Sequence, residues 1–149
     1  MSNWIKGSDI NKALQSKLKR ETTSFKDIYR GEYINEDASR TPWCGVYRAP
    51  VVYAPRTLGR GANNWEGRLQ YRIVVQASSF KGRGEDVEDI LEGLVKEVLD
   101  GLVADNLTLD NTVQMITEIS IEYGYIDDQH PSMYFQSAVI LITTEAQTA

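Results

Sequence analysis

The chain has 149 residues and a mass of 16.8 kDa, which is the size of one domain rather than two. Apolar residues make up 42% of the sequence and charged residues 25%, a composition typical of globular proteins that argues against wholesale disorder. We therefore expect a single domain over residues 1–149 with a core of its own. The longest apolar run, residues 138–142, is far shorter than the roughly 20 residues that cross a bilayer, so no membrane partner is expected.

The N-terminal residues and the cysteine content indicate a compartment. The first residues carry no apolar stretch of the kind that a secretory signal contains. Cys44 is the only cysteine and has no partner for an internal disulfide. Both features favour a protein of the reducing cytoplasm.

The charge is divided between the two halves of the chain. Residues 1–83 have a net charge of +8, whereas residues 84–149 have a net charge of −13 and contain Lys96 as their only base. Such a split has three explanations: the halves neutralise each other within one fold, copies of the chain associate basic face to acidic face, or the basic half binds nucleic acid. Nucleic acid is the weakest of these, because the overall pI is near 4.9.

The first half of the chain predicts a helix followed by strands. Apolar residues Ile10, Leu14 and Leu18 form one stripe of a short N-terminal helix. Residues 25–34 read as a strand, residues 35–42 as a polar loop, and residues 43–53 as a second strand. Pro50 limits this second strand to an edge position or a bulge, because proline cannot donate to a sheet ladder.

A long loop and a regular strand follow. Residues 54–67 contain three glycines, a proline and two adjacent asparagines, which predicts a long exposed loop. Residues 68–79 then alternate strictly, as a half-buried strand does. The residues predicted to share one face of this strand are Leu69, Tyr71, Ile73, Val75 and Ala77.

The second half predicts a helix and two strands. From Gly84 onward, apolar residues at helical spacing continue to Leu102, with acidic residues in the first turn. Residues 113–125 alternate as a strand, residues 127–131 form a turn, and residues 133–144 form a strand that is apolar on both faces and therefore central. The tail, residues 146–149, is predicted to be frayed. The expected fold is α+β, with a mostly antiparallel sheet, a long amphipathic helix packed on one face and a short N-terminal helix.

Three patterns contain residue types used in catalysis, metal binding or phosphate binding, but each pattern is weak. Cys44 and His130 form the one possible thiol dyad, but a lone cysteine among aromatic residues is more often a small buried hydrophobe. Asp127, Asp128 and His130 have suitable metal ligands, yet polar residues before a proline usually form a turn. The glycines around Arg83 lack the spacing of a phosphate-binding loop. We therefore expect no catalytic residue, cofactor or metal site, and no enzyme.

Arginine is concentrated in the basic half, near aromatic residues. Guanidinium groups with aromatic neighbours bind single-stranded nucleic acid through phosphate contacts and base stacking. The same enrichment characterises the centres of protein interfaces, and the acidic half of the chain offers a complementary surface. Between residues 40 and 83 the arginines are Arg40, Arg48, Arg56, Arg60, Arg68, Arg72 and Arg83, and their aromatic neighbours are Trp43, Tyr47, Tyr53, Trp65 and Tyr71. The interface interpretation is the stronger one.

The order of the elements resembles a known family. After the N-terminal helix, the strands and the loop come YRIVVQASS at residues 71–79, an acidic helix that ends in VLDGL at 98–102, and the closing strands ISIEY at 119–123 and FQSAVI at 135–140. Over about residues 5–145 this pattern resembles the tail terminator (tail completion) proteins of tailed bacteriophages. These proteins are small α+β subunits of a six-membered ring.

The resemblance implies a structural virion protein without catalytic residues. Its partners would be other copies in a homohexameric ring, the phage tail tube protein, the head–tail connector proteins, and DNA that passes through the lumen without sequence readout. It would lie at the head-proximal end of the virion tail and in the host cytoplasm during assembly. Candidates for the subunit interface or lumen are Arg56, Arg60, Asn63, Asn64, Trp65, Arg68 and Arg72, and candidates for the acidic partner face are Glu85, Asp86, Glu88, Asp89 and Glu92.

Two alternatives stay open at this stage. The first is another phage head–tail connector or tube subunit of similar fold, which differs from a terminator in how it polymerises. The second is a single-stranded nucleic-acid-binding module that uses the arginine and aromatic residues, whose affinity would fall steeply with salt.

Overall fold

A computed structural model describes residues 7–31, 41–55, 65–80, 84–104, 115–127 and 133–147. Within these ranges the chain is an α+β protein with two helices and a five-stranded mixed sheet in the order β1-β2-β3-β5-β4. The elements are α1 (Gly7–Glu21), β1 (Asp27–Arg30), β2 (Trp43–Pro55), β3 (Trp65–Phe80), α2 (Gly84–Val103), β4 (Met115–Asp127) and β5 (Met133–Gln147). None of the helices in this part of the chain is long and apolar enough to span a membrane.

The sheet is mixed because its first two strands run in the same direction. β1 pairs with β2 in parallel, while β2–β3, β3–β5 and β4–β5 pair antiparallel. The expected mostly antiparallel sheet holds for three of its four strand pairs, and the parallel pair of β1 and β2 is the exception. The connection between them, residues 31–42, has about the dozen residues that a parallel return needs.

Three strands, β2, β3 and β5, are longer than the sequence pattern indicates, whereas β1 covers only Asp27–Arg30 of the predicted strand over 25–34, whose residues 32–34 lie outside the described residues. β2 reaches Pro55 and β3 begins at Trp65, and these two residues pair with each other. The predicted loop over 54–67 is therefore wrong at both ends, and its remaining part, residues 56–64, lies outside the described residues. β5 also continues to Gln147, so the first two residues of the predicted frayed tail belong to a strand. The register of β2 shifts between Arg48 and Val51, which confirms the bulge predicted from Pro50.

One face of the sheet carries the apolar core and both described helices. The predicted alternation of β3 is confirmed, since Leu69, Tyr71, Ile73, Val75 and Ala77 are all buried. α1 packs near β1 and β2, and α2 packs on β3 and β5. The helical residues that complete this core are Ile10, Leu14 and Leu18 of α1, and Val87, Leu91, Leu94, Val95, Val98 and Leu102 of α2.

A bulge changes which residues of β4 face the core. The sequence pattern places Thr117 on the same face as Ile119 and Ile121. The register shifts between Ile116 and Glu118, so Ile116 is buried with the core whereas Thr117 is exposed. The extra residue of a bulge reverses the alternation locally, and a strict period of two therefore fails at this position.

A carboxylate joins the end of α1 to α2. Glu97 Oε1 accepts hydrogen bonds from the backbone N–H groups of Thr23, at 2.5 Å, and Ser24, at 3.1 Å. Burial alone would raise the pKa of Glu97, but the hydrogen bonds from Ser24 and Thr23 outweigh it and hold that pKa below its usual value. The carboxylate thus fixes the segment that follows α1.

Replacing Glu97 by glutamine should lower the free energy of unfolding at pH 7 by about 1 kcal/mol, because hydrogen bonds to a charged acceptor are lost. The folded pKa lies below the unfolded value, so this stabilisation is present above the unfolded pKa and disappears as the pH falls through the folded pKa. Urea denaturation from pH 7 downward should show wild type and Glu97→Gln converging in acid. Glu88→Gln, an exposed site on the same helix, is the control and should change little; a Glu97→Gln loss that stays constant with pH would contradict the assignment.

Candidate functional site

The sheet face opposite the two described helices contains a groove. We call this surface the open face. The groove has a volume of about 490 Å³ and is lined by Arg72, Val74, Ser120, Glu122, Val139 and Leu141. Its residues come from the three strands β3, β5 and β4, which are neighbours in the sheet. The groove is thus a product of strand order rather than of any local segment.

Two rows of paired residues build the groove. Arg72 pairs with Leu141, which pairs with Ser120 on β4. Val74 pairs with Val139, which pairs with Glu122 in the same way. Directly paired residues point to the same face of a sheet, so the side chains of each row lie side by side.

The groove has an apolar floor and charged walls. Val74, Val139 and Leu141 are half-buried, whereas Arg72, Ser120 and Glu122 are exposed. Arg72 lies on the β3 side and Glu122 on the β4 side, and strand spacing places their backbones roughly 12 Å apart. Within the described ranges, Arg72 has no hydrogen-bond or ion-pair partner. The arrangement suits a surface that is itself apolar in the middle and carries an acid and a base at its ends.

A buried polar chain lies beyond one end of the groove. Trp43 Nε1 donates a hydrogen bond to Gln76 Oε1 at 2.8 Å, and Gln76 Nε2 donates to Ser137 Oγ at 3.3 Å. The ring of Tyr29 packs edge-on against Trp43, with centroids 6.2 Å apart. These contacts fix the side chains at that end, because each polar atom of the chain has a partner in place.

The structure places one of the basic candidates in the groove and two others elsewhere in β3. Arg72 lines the groove. Trp65 and Arg68 belong to β3, where they pair with Pro55 and Val52; this corrects the loop predicted for Trp65 and agrees with the strand predicted from Arg68. The other candidates lie outside the described residues: Arg56, Arg60, Asn63 and Asn64.

The acidic candidates lie on the other side of the molecule. Asp86, Glu88, Asp89 and Glu92 are exposed on α2, and Glu85 is part of the same helix. α2 packs on the core face of the sheet, so these acids and Arg72 are separated by the sheet. Among the described candidates, Arg72 and the acids of α2 therefore lie on opposite sides of the sheet within one copy.

Two of the aromatic residues considered for base stacking are not accessible. Trp43 is 5% exposed and Tyr71 is 1% exposed. The ring of Tyr47 lies over Gly45, where an added Cβ would come within 2.7 Å of it. The side chains of Tyr53 and Trp65 lie outside the described residues. Trp43 and Tyr71 therefore cannot serve as stacking platforms in this conformation.

Of the residues considered for catalysis or metal binding, the structure describes the environment of Cys44. Cys44 is fully buried in β2, and burial raises the pKa of its thiol far above the usual range, which is the behaviour of an unreactive cysteine. Asp128 and His130 lie outside the described residues. Within the described ranges, no group of three or more His, Cys, Asp and Glu side chains is placed to hold a metal ion.

Sequence reasoning missed most of the groove. Val139 and Leu141 carried a signal, since they make β5 apolar on both faces, but this was interpreted only as a central strand. Val74, Ser120 and Glu122 carried none by themselves. Their significance depends on the register of β3, β5 and β4, which connects residues far apart in the sequence.

Fold and groove together define a small α+β protein with one sheet face under helices and an amphipathic groove on the other. The sequence matches no known family model and no curated protein. The two unlike surfaces, the groove and the acidic side of α2, are the features that support a function.

Proposed function

We propose that this protein is a tail terminator subunit of a tailed bacteriophage. Six copies form a ring on the head-proximal end of the tail tube, end the polymerisation of the tube and offer the surface to which the head–tail connector binds. DNA passes through the lumen of the ring without being read. The protein is a structural component of the virion and catalyses no reaction.

The observation that carries this proposal is the presence of two unlike surfaces on opposite sides of the sheet. One is the groove with Arg72, and the other is the outer side of α2 with Asp86, Glu88, Asp89 and Glu92. A ring requires a head-to-tail contact between two different patches of the same chain, whereas a two-fold dimer pairs one patch with itself. Two α2 helices facing each other would bring acids together, which disfavours the dimer.

The phage context comes from the resemblance over residues 5–145. The α+β class of the fold agrees with that resemblance. The order of elements also agrees with it: one helix, three strands, a second helix and two strands. A tube subunit or a connector of similar fold is the nearest competitor. The mode of assembly distinguishes them, because a terminator ring is closed and does not stack into tubes.

We expect purified protein to form a closed ring of six copies. Light scattering should give a mass of about 101 kDa, six times the 16.8 kDa of the chain, and negative-stain images should show a central hole. The mass should stay constant when the concentration is raised. A stable dimer would contradict the proposal, and tubes that lengthen with concentration would indicate a tube subunit instead.

A titration with single-stranded DNA at two salt concentrations is the control for the remaining alternative. Phosphate contacts make affinity fall steeply with salt. A monomer with tight, salt-sensitive DNA binding would replace the structural proposal with a nucleic-acid-binding one.

A further inference from the structure

We propose that the groove on the open face binds the outer side of helix α2 from a second copy of this chain. This inference rests on the proposed self-assembly and names its interface. One strip of the outer side of α2, which we call the docking face, consists of Asp86, Asp89, Ile90, Gly93 and Lys96. All five residues are exposed, and their spacing of three to four places them on one side of the helix.

Ile90 gives the docking face an apolar centre. Its side chain is 46% exposed, and it is among the few large apolar side chains that the described residues leave in solvent. Asp86 and Asp89 lie beside it on the same side of the helix. An apolar residue next to acids matches the groove, where Val74, Val139 and Leu141 form an apolar floor beside Arg72.

Gly93 points to close contact with another molecule. It lies in the middle of the 20-residue helix α2, where glycine is among the poorest helix formers. A Cβ at this position would meet nothing within 4 Å, so the fold of the single chain does not require a glycine here. A missing side chain lets a second surface approach the helix closely, and the groove floor is the apolar surface that the open face offers.

The charges of the two surfaces match in sign and spacing. Asp89 and Lys96 are seven residues apart, which is about 10.5 Å along a helix, and Arg72 and Glu122 are roughly 12 Å apart across the groove. A helix laid across the strands sets Asp89 against Arg72 and Lys96 against Glu122, with Ile90 and Gly93 over the floor. Turning the helix round would place like charges together, so the charges fix one orientation.

The existing ion pair of Lys96 does not block this contact. Lys96 Nζ lies 2.8 Å from Asp100 Oδ2, and both side chains are largely exposed. Exposed pairs of this kind contribute little to stability, so Lys96 is able to exchange partners. Each copy then uses its docking face on one side of the sheet and its groove on the other, and the contact continues from copy to copy until the ring closes.

Charge reversal and rescue test this pairing. Arg72→Glu alone and Asp89→Arg alone should each weaken self-association at least tenfold, measured by analytical ultracentrifugation. The double variant Arg72→Glu/Asp89→Arg should return to within about threefold of wild type, because the pair is restored with exchanged signs. Lys12→Glu is the control, since Lys12 is an exposed charge on α1 that belongs to neither the groove nor the docking face, and its reversal should stay near wild type.

A steric variant tests the same contact without changing charge. Gly93→Leu should keep the helix and the melting temperature of the dilute, unassembled chain, because leucine is a better helix former than glycine. It should abolish association by holding the two surfaces apart. Circular dichroism of each variant shows that the chain is folded. Retention of folding with loss of assembly is the expected combination.

The outcomes separate this inference from the proposed function. If wild type forms the 101 kDa ring and both single reversals assemble equally well, the docking surface is wrong while the ring stands. A double variant as weak as the single variants would also overturn the pairing. If wild type does not self-associate at any concentration, both the docking surface and the self-assembled ring are rejected.

Discussion

Replacing Ile140 by alanine should lower the free energy of unfolding by about 3 kcal/mol. Ile140 is fully buried and pairs with Ile73 on β3 and Ile121 on β4, so it lies at the centre of the core face. Its truncation removes buried apolar surface and leaves a cavity that a paired sheet cannot close. Urea denaturation of dilute protein gives the difference directly.

Val139→Ala is the control for this prediction. Val139 is the adjacent residue, is half-buried and faces the groove on the open face. Its truncation should cost about 1 kcal/mol or less in the single chain, since fewer atoms surround it. Equal losses at Ile140 and Val139 would mean that the two sheet faces are equally well packed, which would contradict an open face.

Replacing Gly101 by valine should lower the free energy of unfolding by about 1–3 kcal/mol. A Cβ at Gly101 would lie 3.1 Å from Glu21 Cβ and 3.9 Å from Thr22 Cγ2. The extra methyl groups of valine would therefore enter the contact between the last turn of α2 and the end of α1, and overpacking of this kind forces one element away. Thermal or urea unfolding measures the loss.

Gly93→Val provides the same substitution in the same helix without the contact. A Cβ at Gly93 meets nothing within 4 Å, and valine is a better helix former than glycine. Gly93→Val should therefore leave the stability of the single chain unchanged or slightly higher. If both variants lost the same free energy, the close approach at Gly101 would not be the cause.

Local sequence patterns predicted those elements whose apolar residues all face a single core. Helical spacing located α2 from Gly84 onward, and alternation located the buried face of β3, because in both cases every apolar position faces the same core. Pro50 predicted either an edge position or a bulge because its missing N–H excludes a regular ladder, and the bulge is the alternative that the register of β2 shows. In each case a single residue type or a single period carries the information.

The remaining features depend on pairing between distant segments. Strand propensity does not encode direction, so nothing in residues 27–30 indicated a parallel partner. The bulge at Thr117 depends on the register with β5, and a strict period of two could not show it. The groove was missed for the same reason, because Val74, Val139 and Glu122 meet only through the pairing of three strands. Of the residues that line the groove, Arg72 is the one that the sequence predicts as a site residue, because of its charge.

The sheet order also determines when the fold can be completed during synthesis. The central strand β3 can pair with β2 as soon as both are synthesised, because β2 precedes β3 in the chain. Its other neighbour is β5, and residues 81–132 separate β3 from β5. Until β5 leaves the ribosome, one edge of β3 stays unpaired and α2 lacks half of the surface that it covers. Unpaired strand edges of this kind attract other chains. A translation product that ends before Met133 would therefore expose both an adhesive strand edge and the apolar side of α2, which marks it for aggregation or degradation rather than for assembly.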